Sequence, residues 1–176
     1  MNYTPEQISQ IVLKVLKEVD TLDILGLSYG EKIELAKDPN TPQETLAILA
    51  TDKDWRVRCE VAENPNTSQE TLAILATDKY SDVRCWVARN QNTSQESLAI
   101  LATDKNSVVR WRVAKNQNTS PETLAILATD KDSYVRYWVV NNPNYKKQTL
   151  ELTSVQYDAL KRLIESGQNK ILKGIL

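Results

Sequence analysis

Eight residues carry the chemistry this chain has to offer: Trp86, Arg89, Trp111, Arg112, Lys115, Tyr134, Tyr137 and Trp138. Indole and phenol rings supply large, rigid contact area with a polar tip, and guanidinium or ammonium groups supply donors for carboxylate or phosphate. That mixture suits docking rather than bond making. A second set, Asp52, Asp78, Asp104 and Asp130 with Arg58, Arg84, Arg110 and Arg136, recurs at fixed spacing. An active site needs one such group, not four copies. The spacing therefore predicts a structural ladder, in which each Arg bridges Asp carboxylates of its own and adjacent units through bidentate, partly buried bonds. The chain has no histidine, the commonest general acid–base group. It also lacks a Cys/His metal set, a phosphate-binding glycine loop and a nucleophile elbow. Glu60, Glu63 and Asp82 break the repeat and read as solvated carboxylates. The expected protein is non-enzymatic, with no cofactor, metal or small-molecule substrate.

What positions these residues is a repeat. Four 26-residue units begin at Asn40, Asn66, Asn92 and Asn118, the first reading NTPQETLAILATDKDWRVRCEVAENP. With places numbered from the leading Asn, Leu 7, Ile 9, Leu 10, Asp 13, Val 18, Arg 19, Val 22 and Asn 25 hold in every unit, while places 15, 16, 17, 20, 21 and 24 vary freely. A period in this range is the signature of a stacked-helix solenoid, whose units bury their apolar sides only against each other. The expected fold is an all-α solenoid forming a single domain over 1–176. Residues 1–39 would be an N-terminal cap helix and a degenerate half-repeat, 40–143 the four units, and 144–176 a C-terminal cap.

Within a unit, Thr41 with Glu44, Thr67 with Glu70, Thr93 with Glu96 and Thr119 with Glu122 have capping-box spacing. Pro42 and Pro121 fall in the first turn, where a missing N–H costs nothing. The helix that follows is expected to bury its Leu, Ile, Leu and small Ala residues, as a helix sandwiched between two neighbours would. A second short helix is expected over places 16 to 24, capped by Ser81, Ser107 and Ser133. It would end at an Asn able to take the left-handed terminal conformation, with Pro65 and Pro143 unable to continue it. At the chain's start, Thr4-Pro5-Glu6 opens an amphipathic helix, and TSVQYDALKRLIESG reads as a closing helix.

On a wheel of about 100° per residue, the fixed Val 18, Val 22, Arg 19 and Ala 23 of the second helix fill one arc. Places 17, 20, 21 and 24 fill the opposite one. All four tryptophans (Trp55, Trp86, Trp111 and Trp138) lie at variable places, with Tyr80, Tyr134 and Tyr137. Two readings follow. The face could dock a partner, or its rings could stiffen the seams between units, Trp86 against Trp111 and Arg112 against Tyr137. A protein partner is the leading reading. Nucleic acid is the alternative, with bases stacked on the rings and Arg89, Arg112 and Lys115 on phosphates. The units carry 12 basic and 13 acidic residues, which argues against it, because phosphate-led binding wants a clear basic stripe.

Net charge is −1 and no apolar run is long enough to cross a bilayer. The opening residues lack the basic-then-apolar layout of a secretory signal, so a reducing, cytoplasmic address is expected. Cys59 and Cys85 occupy the same place in adjacent units, about 8–10 Å apart if the helices stack, beyond disulfide reach. They are expected as small buried side chains. The Asn-Thr-Ser sequons at Asn66, Asn92 and Asn118 read as turn residues.

The pattern L..LA.D....VR..VA.NPNT, over residues 33 to 145, resembles the leucine-rich repeat variant and, more broadly, the HEAT-like helical repeats. The resemblance implies a right-handed superhelix of paired short helices, one of which is 3₁₀ in some relatives. It also implies protein binding for most relatives and DNA binding for a minority. Some relatives carry an iron–sulfur module on N-terminal cysteines. This chain has no cysteine before Cys59, so that cofactor is not carried over.

Overall fold

The computed structural model describes Thr4, Gln7, residues 23–145 and Arg162. Among these residues every regular element is a helix. Nine-residue helices α1 (Tyr29–Lys37), α3 (Trp55–Glu63), α5 (Ser81–Arg89), α7 (Ser107–Lys115) and α9 (Ser133–Asn141) alternate with seven-residue helices α2 (Gln43–Leu49), α4 (Gln69–Leu75), α6 (Gln95–Leu101) and α8 (Pro121–Leu127). The long helices stack on one another in a continuous row, and each short helix packs on the long helices beside it, which makes a helical-repeat solenoid. The long helices occupy places 16 to 24, as the wheel requires. The apolar faces proposed for the N-terminal cap helix and for the closing helix lie outside the described residues. Thr4 and Gln7, however, exchange the reciprocal bonds of a capping box.

Each unit gives the core two leucines from its short helix and two valines from its long one. In the third unit these are Leu98, Leu101, Val109 and Val113, all at most 1% exposed. At about 1.5–3 kcal/mol per side chain, against about 1–2 kcal/mol per residue of backbone ordering, no unit stands without its neighbours. Three expectations about the helices are corrected. First, the isoleucine is not core: Ile74, Ile100 and Ile126 are 66%, 57% and 61% exposed, and Ala73, Ala99 and Ala125 face outward with them. A two-turn helix supported on one side only, rather than sandwiched, buries just the i, i+3 leucine stripe.

Second, the threonine does not cap the helix that follows it. Thr67, Thr93 and Thr119 are buried and donate their hydroxyls back to the carbonyls of Val61, Val87 and Val113, in the last turn of the preceding long helix. The caps are the next residues, Ser68, Ser94 and Ser120, which accept from the amides of Thr71, Ser97 and Thr123. One hydroxyl therefore closes a helix C-terminus while its neighbour opens an N-terminus. Pro121 stands in the first turn of α8, whereas Pro42 occupies the cap position of α2 itself. Third, Ser81, Ser107 and Ser133 are first helical residues. The caps are Asp54, Asn106 and Asp132, and Tyr80 at the start of α5, where no side chain caps.

Helices α3, α5, α7 and α9 end on asparagines that are extended, not left-handed, with φ −61° and ψ 127° at Asn64. Their side chains do the work instead. Asn64 donates to the carbonyls of Ala36 and Asp38, Asn90 to Ala62 and Asn64, Asn116 to Ala88 and Asn90, and Asn142 to Ala114 and Asn116. Each amide thus satisfies one orphan carbonyl of the preceding unit and adds a second donor to another, which already accepts the N–H of the threonine three residues on; its own oxygen accepts the amide N–H two residues on.

Beside this column runs the charged one. Arg58 grips Asp78 through Nε and Nη2 at 2.6 and 3.1 Å, Arg84 grips Asp104 at 2.5 and 3.0 Å, and Arg110 grips Asp130 at 2.6 and 2.9 Å. The ladder exists, with one correction: the carboxylate is always that of the following unit. The link to the Arg's own unit runs from Nη1 to a backbone carbonyl, that of Asp52, Asp78 or Asp104. The half-repeat completes the series. Lys32 holds the arginine's place and bonds Asp52 at 2.8 Å.

Candidate functional site

Because the long helices are stacked with a stagger, place 20 of one unit lies beside places 17 and 21 of the next. Trp111 (place 20) therefore meets Tyr134 (place 17) edge-on at 5.4 Å and stacks with Trp138 (place 21) at 6.2 Å. Tyr137 completes the cluster, 5.5 Å from Trp138 and stacked with Tyr134 at 6.2 Å. The anticipated Trp86–Trp111 contact runs against this stagger, and no such ring pair forms. Arg112 lies over its neighbour Trp111, with its Cζ 4.3 Å from the ring centre, rather than on Tyr137. Lys115 lies over Trp138 of the next unit at 4.4 Å.

Six of the eight residues singled out from sequence thus converge on α7 and α9. Trp86 and Arg89 form a neighbouring patch, with the Arg89 guanidinium 4.7 Å from the Trp86 ring centre and 3.4 Å from Glu63. A pocket of about 220 Å³ is lined by this pair with Glu63, Pro65 and the Asn90–Asn92 turn. Between the two patches lies a groove of about 330 Å³, lined by Arg89, Gln91, Arg112, Lys115, Asn116 and Gln117. Trp55 stands apart, stacked on Tyr80 at 5.9 Å near the start of the array.

Exposure divides the cluster by role. Trp86, Trp111 and Trp138 are half-buried in the seams, whereas Tyr134 and Tyr137 are 51% and 54% exposed. The indoles pack between units, as the seam reading expects, and the phenols keep about half of their surface in solvent. Two donors in the cluster, Arg112 Nε and Trp138 Nε1, are buried without an acceptor. Sequence could not have marked them, since their isolation depends on which ring covers which guanidinium. Gln91 and Gln117, at the last place of their units, also line the groove.

Burial pushes the Cys59 thiol up to about 12, with Asp82 adding to it, and burial pushes Cys85 up to about 11 against the pull of Arg112. Both cysteines are free and packed as small side chains, and at these values neither forms a ready thiolate. The Arg112–Cys85 and Asp82–Cys59 proximities obey the same stagger as the rings.

Among the described residues, alternating long and short helices joined by a buried amide column and a charged column define a helical-repeat solenoid. The model of the leucine rich repeat variant family matches residues 55–79, spanning α3, α4 and the turn at Asp78, and to that repeat the chain is similar. The other units repeat the letters of that stretch. No curated protein and no solved structure matches the chain. No described helix is long and apolar enough to cross a membrane.

Proposed function

We propose that this protein is a non-enzymatic scaffold that docks a protein partner on the aromatic and cationic face of its second to fourth units. The observation that carries this reading is the exposed Tyr134–Tyr137 pair, backed by indoles that are already packed. Rigid rings with polar tips, seated on a fixed support, are the residues that dominate binding hot spots, because little conformational freedom is lost when a partner covers them. The two outer phenols contact the indoles yet leave about half of their surface in solvent, more than a seam alone requires. Helical repeat arrays commonly use an extended face of this kind.

The test uses the full chain panned against a displayed dodecapeptide library, with the enriched clones synthesised and titrated by fluorescence polarisation. Tyr134→Ser with Tyr137→Ser is expected to weaken the enriched peptides by at least about tenfold while moving the melting temperature by only a few degrees. Enriched peptides indifferent to the tyrosine pair would place the docking surface elsewhere. A library yielding no binder would remove the reading altogether.

A further inference from the structure

We propose that the groove between the second and third units is a carboxylate-binding site, so that the segment this face takes is an acidic peptide. The proposal rests on the docking reading above and specifies its chemistry. Three cations, Arg89, Arg112 and Lys115, line the groove, and no carboxylate does. Arginines that serve the architecture of this chain are occupied: Arg58, Arg84 and Arg110 each have a fork closed on an aspartate. Arg112 and Lys115 form no ion pair among the described residues, and each is held instead against an indole face. A cation fixed on a ring with its donors open is ordered in advance for an anion, which lowers the entropy lost on binding.

A buried donor points the same way. A buried N–H without an acceptor is costly to keep, and Arg112, which lines the groove, has one at Nε. A carboxylate entering the groove offers acceptor oxygens to the guanidinium in fork geometry. The exposed phenols beside it suit an apolar neighbour on the same segment.

Charge along the face selects a short acidic peptide over a long polyanion. At place 21 the units present Glu60, Trp86, Arg112 and Trp138 in turn, and at place 24 Glu63, Arg89, Lys115 and Asn141. Positive charge is therefore local, flanked on one side by Glu60 and Glu63 and on the other by uncharged residues. A nucleic-acid strand running along the array would meet those glutamates. A segment with acidic side chains over the third unit, and none over the first, meets no repulsion.

The experiment takes peptides enriched on the full chain, together with amide isosteres in which every Asp and Glu becomes Asn or Gln, and a twelve-residue oligothymidylate. Enriched sequences are expected to carry acids next to an aromatic or aliphatic residue. The amide isosteres should bind at least about tenfold more weakly. Arg112→Gln with Lys115→Gln should weaken the acidic peptides by a similar factor and leave the isosteres unaffected, the coupling that identifies a direct pair. Peptides that still need Tyr134 and Tyr137 but bind equally well as amides would overturn the carboxylate site and leave the docking face standing. So would acidic peptides unaffected by the Arg112 and Lys115 substitutions. Oligothymidylate binding tighter than any peptide would overturn the acidic-peptide reading in favour of a polyanion.

Discussion

Asn116→Ala is expected to lower the unfolding free energy by about 3 kcal/mol, although it removes no apolar surface and no charge. The side chain is 3% exposed and joins two units through three bonds. Its amide donates to Ala88 O at 2.9 Å and to Asn90 O at 3.0 Å, and its oxygen accepts the Asn118 N–H at 2.8 Å. Alanine leaves the buried Ala88 carbonyl and the Asn118 N–H without partners and Asn90 O with only the Thr93 N–H, each loss costing about 1–3 kcal/mol before relaxation and water entry soften it. Asn116→Asp is the sharper probe. It keeps the shape and the acceptor but turns two donors into a carboxylate facing two carbonyl oxygens, so it should be worse than alanine at neutral pH. The chain itself respects this chemistry. Where the column begins it has Asp38, exposed, which accepts from Asn40 and donates nothing. Denaturant titrations of the three proteins decide the matter, and an aspartate variant as stable as wild type would remove the amide column from the account. Because the coupling lost is that between neighbouring units, the alanine variant is also expected to broaden the transition, as nearest-neighbour cooperativity in a linear array requires.

That column was visible in the sequence and misread there. Asn at place 25 sits where a helix must stop, and stopping is a job asparagine performs by backbone conformation alone. Nothing local distinguishes such a residue from one whose amide reaches back a whole unit. The long-helix bounds were legible because four variable and four fixed places separate cleanly on the wheel. The caps were not, because Thr and Ser stand side by side and each can cap; only the depth of the turn decides which hydroxyl faces which helix. The isoleucine column misled for a related reason. Leu-Ala-Ile-Leu is apolar all round, and a wheel cannot tell a sandwiched helix from one supported on a single side. Stagger between units is the other quantity that one unit's letters do not contain. It sets Trp111 on Trp138 rather than on Trp86, and it sends each Arg fork to the following Asp rather than to its own. The residue types on the candidate face were legible, and their partners were not.

The same stagger makes four identical letters unequal, which gives the second large effect. Arg110→Ala should cost about 3 kcal/mol, because it strands the Asp130 carboxylate, whose side chain is 8% exposed, without its guanidinium. Arg136 occupies the same place one unit later and is exposed. Its Nη1 reaches Asp130 O at 2.6 Å and Lys131 O at 3.1 Å, and no carboxylate pairs with it among the described residues. Arg136→Ala should therefore stay within about 1 kcal/mol of wild type. Equal losses at the two positions would mean that the charged rungs contribute nothing beyond their carbonyl bonds. Acid provides an independent check on the carboxylate side. The Arg110 hydrogen bonds hold Asp130 below the usual carboxylate range against the upward push of burial. At Asp78 and Asp104 burial pushes upward, and the bonds from Arg58 and Arg84 with a backbone N–H outweigh it. A depressed folded-state pKa means that the unfolded chain binds protons first. The rungs' stabilisation is thus fully present above the ordinary aspartate value of about 3.9 and drains away as the pH falls below it. Wild type should lose stability steeply from about pH 4 downward, and Arg110→Ala, with one rung already broken, should show a shallower acid limb.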